Sequence, residues 1–148
     1  SSGWRGPGVE DRGPGSPEGR ANERSLVVRL TTPHGRIIIP GDIEERGTRA
    51  LLDGGADLRA EILVLPHHGK LQALHRELLE AVRPRIVLVS APDGYASREV
   101  LDHARSIADV YQTGLGGWIE VGLAPGGFHI RRGNDGRARA SLAPDLPQ

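Results

Sequence analysis

Three residues of this sequence have the type and placement to do chemistry: Asp42, His67 and His68. The two histidines stand side by side in LPHHGK (65–70), directly after the apolar run at 62–65. Asp42 stands in IPGDIEE, directly after the apolar run at 37–39. Imidazole nitrogens bind zinc or manganese well, and a second imidazole can donate a proton or orient the first. A carboxylate binds or bridges the same ions through oxygen. Each group also has a plain reading. Asp is a preferred helix N-cap, which accounts for Asp42 if a helix begins at 42. A histidine pair after a strand is equally at home in a surface loop. Convergence decides between the readings: if the two strands are parallel neighbours, their C-terminal ends bring Asp42 to the histidines, at the sheet edge where ligand sites concentrate.

The elements that must position them follow from periodicity. Residues 25–30 and 35–40 read as strands joined by a turn at Pro33 and Gly35. Residues 41–55 read as a helix with Ile43, Ala50 and Leu51 on its inner face, Glu44 and Glu45 at its positive end, and Gly54 and Gly55 as its stop. The run 60–66 is nearly continuous in apolar residues, as a strand covered on both faces requires. A helix over 71–84 carries the stripe Leu71, Leu74, Leu78 and Val82, and Pro84 ends it. Then come a strand at 85–90, a turn at APDGY, a helix at 97–108 with Ser97 as N-cap, and strands at 110–113, 118–123 and 127–132. A hairpin feeding repeated strand–helix units is an α/β sheet with packed helices. The expected organisation is a flexible N-terminal segment (1–21), one α/β unit (22–132) and a polar tail (133–148).

Composition bounds the function classes. Net charge is zero over 148 residues, so global charge gives no argument for nucleic-acid binding. Such a role would need the arginines to cluster on one face. There is no cysteine, which removes disulfides and thiolate metal sites. No apolar stretch approaches the roughly 20 residues of a membrane span. The opening SSGWRGPGVE lacks a signal-peptide layout. His34 falls in the hairpin turn, His75 and His103 in helices, and His129 in a late strand; each reads as solvated or structural. Asp93 and Tyr95 follow the 85–90 strand and can reach the same edge, although a turn explains them equally well.

Several stretches together resemble one family. NERSLVVRL, IPGDIE, LRAEILVLPHHGK, AVRPRIVLVS and VYQTGLGGWIEV follow the order found in the metallo-β-lactamase-like domain of ComEC/Rec2 competence proteins. The resemblance covers about residues 21–123 and rests most on GDIE and PHHG. It implies an αββα sandwich, present here as its C-terminal half. It implies a metal-dependent hydrolase acting on phosphodiester bonds of DNA during uptake, with zinc or manganese as cofactor. It implies Asp42, His67 and His68 as metal ligands, with His67 and His68 also catalytic; which histidine is the ligand stays open. It implies DNA or another phosphodiester as partner, a missing N-terminal half or membrane channel segment, and a membrane-associated, extracytoplasmic location.

The sequence departs from the family in three places. The HxHxDH cluster that supplies much of the metal site is absent. The Ser after HHG is Lys70, the single lysine of the chain, whose ammonium repels a metal and attracts phosphate. PDGYAS stands where the family carries an Asn and a further polar motif. The expectation is therefore a chain inactive by itself. The alternative is a non-catalytic α/β interaction module or decayed fragment. Half a sandwich would also leave one sheet face uncovered, an apolar patch prone to pairing or aggregation.

Overall fold

A β-hairpin starts the sheet. Strand β1 (Val28–Thr32) runs antiparallel to β2 (Gly35–Ile39), with Leu30 opposite Ile37 and Thr32 opposite Gly35. The turn is held by the Thr32 hydroxyl, which accepts the His34 amide at 3.1 Å. Next come helix α1 (Glu45–Asp53), strand β3 (Ile62–Val64), one 3-10 turn (Pro66–Gly69) and helix α2 (His75–Val82). Strand β4 (Ile86–Val89), helix α3 (Arg98–Arg105) and strand β5 (Asp109–Gln112) follow. A single helical turn, α4 (Thr113–Gly116), leads into a second hairpin of β6 (Trp118–Ala124) and β7 (Gly127–Gly133). This computed structural model describes residues 21–133; the expected N-terminal segment and polar tail lie outside the described residues, apart from Ala21 and Gly133.

The five-stranded sheet has the order β1-β2-β3-β4-β5, antiparallel at the first pair and parallel from β2 to β5. It is a mixed α/β architecture. Alternation along the strands sorts the core into two layers. Ile38, Leu63 and Val87 face the helices, where they meet Leu78, Leu79 and Val82 of α2 and Val100, Leu101 and Ala104 of α3. Ile62 and Ile86 face the other way and pack under Phe128 and Ile130 of the second hairpin. Burial on both sides is why β3 and β4 read as unbroken apolar runs. Each fully buried Leu or Ile contributes about 1.5–3 kcal/mol, so α2 is firmly tied to the sheet.

Three expectations are corrected. Helix α1 begins at Glu45, not next to an Asp42 cap, because Gly41 turns the chain at φ 66 and Glu44 is extended. Ile43 is buried but precedes the helix, Thr48 takes the inner position, and Ala50 is exposed. Helix α2 begins at His75, which is itself buried, so Leu71 falls outside the helix and is 61% exposed. The second hairpin covers the sheet face expected to be bare. On β1, Leu30, opposite Ile37, is 47% exposed. No helix among the described residues is long and apolar enough to cross a membrane.

Candidate functional site

The parallel pairing of β2 and β3, with Ile37 beside Ile62 and Ile38 beside Leu63, carries both chains to the same sheet edge. After β2 the chain turns through Pro40 and Gly41 to Asp42. After β3 it enters the turn holding both histidines. The His67 amide donates to the Gly41 carbonyl at 3.1 Å, which fastens one turn to the other. Asp42 has no capping role: the N-cap position of α1 is Glu44, two residues later, and it makes no side-chain cap bond. The plain reading of Asp42 thus loses its structural basis.

His68 reaches across to β4. Its Nδ1 lies 2.7 Å from the Ser90 carbonyl, and since a carbonyl only accepts, Nδ1 carries the proton. Nε2 of the neutral ring is then a bare lone pair, and it lies 3.5 Å from Asp42 Oδ1. In the neutral ring two acceptors lie at that distance; a proton on Nε2 makes them an ion pair, and a cation can take its place. His67 turns the other way. Its Nδ1 is buried 3.3 Å from Glu44 Oε1, within ion-pair distance but without hydrogen-bond alignment. Glu44 also accepts from the Asn22 amide nitrogen at 2.9 Å. The pair therefore divides into two histidine–carboxylate couples, His68 with Asp42 and His67 with Glu44.

The backbone beneath them is strained. His67 has φ 47 and ψ 41, and His68 has φ 57 and ψ 20. Both sit in the left-handed region, which costs a non-glycine residue roughly 1–2 kcal/mol. Their surroundings hold them there. The Lys70 amide donates to the His67 carbonyl at 3.0 Å, and the Ser97 amide to the Gly69 carbonyl at 2.9 Å. Gly69 has φ 79, and a Cβ on it would come within 3.0 Å of the Ala96 Cβ. A chain that only needed the turn would place glycine at all three positions. Two imidazoles kept at such a cost are the strongest local sign of a working site.

A cleft of about 590 Å³ opens beside His68, lined also by Ser90, Pro92, Tyr95, Thr113 and Gly114. The Tyr95 ring meets the His68 ring edge-on, 5.9 Å between centroids, and the Lys70 ammonium lies 4.3 Å from the Tyr95 centroid. Thr113 ties the floor together by accepting the Ala91 amide at 3.0 Å. Asp93, expected beside Tyr95, is exposed and does not line the cleft.

The other histidines stay away. His34 is exposed in the hairpin turn and His129 is exposed on β7. His103, on α3, is half-buried, and its buried Nε2 has no hydrogen-bond partner. His75 is 4% exposed and hydrogen-bonded through Nε2 to the Lys70 carbonyl, so it braces the segment that follows the histidine turn. Burial pushes its pKa below the ordinary value, against the raising effect of that bond. Sequence reasoning missed Glu44, assigning it to the helix dipole. The available signal was its place two residues after Asp42 in an extended segment, where alternate side chains share a side.

Comparison with known proteins gives two relatives. The chain is 29% identical over 119 residues to "Competence protein ComA" of Neisseria gonorrhoeae, covering 75% of this chain and 17% of the relative. It is 27% identical over 70 residues to "ComE operon protein 3" of Bacillus subtilis strain 168, covering 47% of this chain and 9% of the relative. The chain thus spans less than a fifth of the length of the curated relatives it matches. No family model matches it.

Whether the residues fit a divalent cation is a geometric question. Two ligands of a tetrahedral ion with bonds of about 2.1 Å stand about 3.4 Å apart. Asp42 Oδ1 and His68 Nε2, at 3.5 Å, match that edge. Among the described residues, however, no group of three or more His, Asp or Glu side chains converges on one point. The fit is to two ligands of one ion, not to a full centre. His67, turned toward Glu44, stands beside that pair.

Proposed function

We propose that this chain is part of a DNA-uptake competence protein and forms one wall of a phosphodiester-handling site. The single observation behind the reading is the His68–Asp42 couple, whose facing acceptors lie at ligand-to-ligand distance on a strained turn. The two competence relatives support the biological setting. The second hairpin packed on the five-stranded sheet is compatible with the C-terminal half of a metallo-β-lactamase-like sandwich.

In this reading Asp42 and His68 would hold a divalent ion, zinc or manganese. When bound, such an ion polarises a phosphoryl oxygen and acidifies water. The residues of the chain do the rest. Ser90 fixes the His68 tautomer. Glu44 Oε1, 3.3 Å from His67 Nδ1, keeps that ring beside the couple. Lys70 holds its ammonium against Tyr95 at the rim of the cleft and draws in an anionic phosphate. Remaining ligands would come from outside the described residues.

The test is calorimetric and thermal titration with Mn²⁺ and Zn²⁺. Binding with a stoichiometry near one, and a rise in melting temperature lost in Asp42→Ala and His68→Ala but kept in His67→Ala, is the expected result. Equal binding by Asp42→Ala would refute the site.

A second reading has its own observation. Among the described residues two candidate ligands stand beside a lysine without a third, which favours reading the chain as a non-catalytic α/β interaction module. DNA cleavage by the purified chain, abolished in His68→Ala, would exclude it.

A further inference from the structure

The opposite end of the sheet carries a different chemistry. The strands β2, β3 and β4 begin there, and the residues at or just before their starts are Arg36, Glu61 and Arg85. Adjacent strands are about 4.8 Å apart, so Arg36 and Arg85 are anchored roughly 10 Å from each other. Arg59 and Arg83 join them around a cavity of about 340 Å³. A second cavity of about 510 Å³ shares Arg36, Glu61 and Arg85 and continues toward the β1–β2 turn. Together the two form one trough along the sheet end.

Four arginines stand there with three acids, Asp57, Glu61 and Asp109, the last beside Ile86 at the start of β5. Arg36 is paired with Asp57 at 2.8 Å. Glu61 accepts the Arg36 backbone amide at 2.5 Å. Among the described residues no carboxylate lies within ion-pair distance of Arg59, Arg83 or Arg85, and all three are exposed. The Arg85 guanidinium is held 5.1 Å from the Phe128 ring centroid, which limits its freedom before any ligand arrives. Arg83 ends α2 in the left-handed conformation, φ 52. Compensation of the α2 dipole accounts for Arg83 but not for Arg59 or Arg85.

We propose that this arginine-lined trough binds the phosphodiester backbone of a single nucleic-acid strand. Guanidinium groups grip phosphate oxygens in bidentate fashion. Guanidinium groups spread over two cavities that share Arg36, Glu61 and Arg85 suit a chain of several phosphates better than one small anion. It lies at the sheet end away from Asp42 and His68, so the proposal stands apart from the cation site.

The test is fluorescence anisotropy of a labelled 15-nucleotide single strand against the full 148-residue chain, with salt varied from 50 to 300 mM. Each phosphate neutralised on a single strand contributes about 0.7 to the slope of log affinity against log salt. Arg59→Ala, Arg83→Gly and Arg85→Ala combined should lower that slope by about 2 and weaken binding at least tenfold at 50 mM salt. Arg98→Ala with Arg105→Ala, on α3, should change neither. Arg83→Gly alone guards against unfolding, because glycine suits the left-handed backbone: it should bind more weakly while melting no lower. The proposal is overturned if the wild-type chain shows no salt-dependent binding, if the triple variant keeps its slope, or if Arg83→Gly binds like wild type. It is equally overturned if vesicles with 30% anionic lipid bind the chain while the oligonucleotide does not.

Discussion

Replacing the two histidines by glycine should stabilise the fold relative to replacing them by alanine. His67 and His68 both occupy left-handed backbone, at φ 47 and φ 57. Alanine keeps a Cβ and keeps the strain, while glycine enters this region without penalty. Both substitutions at position 68 remove the bond to the Ser90 carbonyl, a loss of about 0.5–1.5 kcal/mol that cancels in the comparison. What survives is the backbone term of roughly 1–2 kcal/mol per residue, less the roughly 0.5–1 kcal/mol by which glycine loosens the unfolded chain. The net is about 1 kcal/mol for each position and about 2 kcal/mol for the pair, worth roughly 5–10 °C in melting temperature for a domain of this size. Urea titration followed by far-UV circular dichroism gives the comparison directly. Equal or lower stability of His67→Gly/His68→Gly against His67→Ala/His68→Ala would refute the claim that the histidine turn stores strain. It would also remove the reason for treating the imidazoles as retained for function.

Two further outcomes follow from the same packing. Burial depresses the His75 pKa in the folded chain, so the unfolded chain binds more protons below the ordinary value of 6.5. Stability is therefore fully present above about pH 6.5 and is lost as pH falls from there to the folded pKa, at up to about 1.4 kcal/mol per pH unit. His75→Gln, which keeps a donor for the Lys70 carbonyl, should flatten that part of the stability profile measured by denaturant titration. Gly114→Ala should destabilise by 2 kcal/mol or so and close the cleft beside His68, because a Cβ there would overlap the Asp93 amide nitrogen; the melting temperature and the environment of Tyr95 report the two effects.

The sequence was a good guide where one period dominated. The runs at 62–64 and 86–89 lie between a helical layer and a hairpin, and no other element accounts for such unbroken apolar stretches. It was a poor guide where chain direction changes. Residues 42–45 are Asp, Ile and two Glu, a pattern that reads as a capped helix start, but Gly41 turns the backbone and delays the helix to Glu45. Leu71 fits the α2 stripe by spacing, yet the chain between Gly69 and His75 is not helical, so the stripe loses its first member and His75 enters the core. Turns are set by individual dihedrals, and periodicity does not encode them.

The site divides in the same manner. That Asp42 and the histidines share an edge was legible, because strand direction and sheet order follow from the alternation of strands and helices. The division of labour between the histidines was not. It depends on the left-handed backbone at both positions, which swings consecutive side chains apart and sends His67 to Glu44 and His68 to Asp42. In extended backbone the two rings would also diverge, but to opposite faces of the sheet, and only one would reach this edge cluster. The unusual conformation lets neighbouring residues serve two carboxylates on one edge. Glycine would relax the turn and supply neither imidazole, and a longer loop would supply them without fixing them. The strain at His67 and His68 is thus the local condition for a paired site built from two adjacent residues.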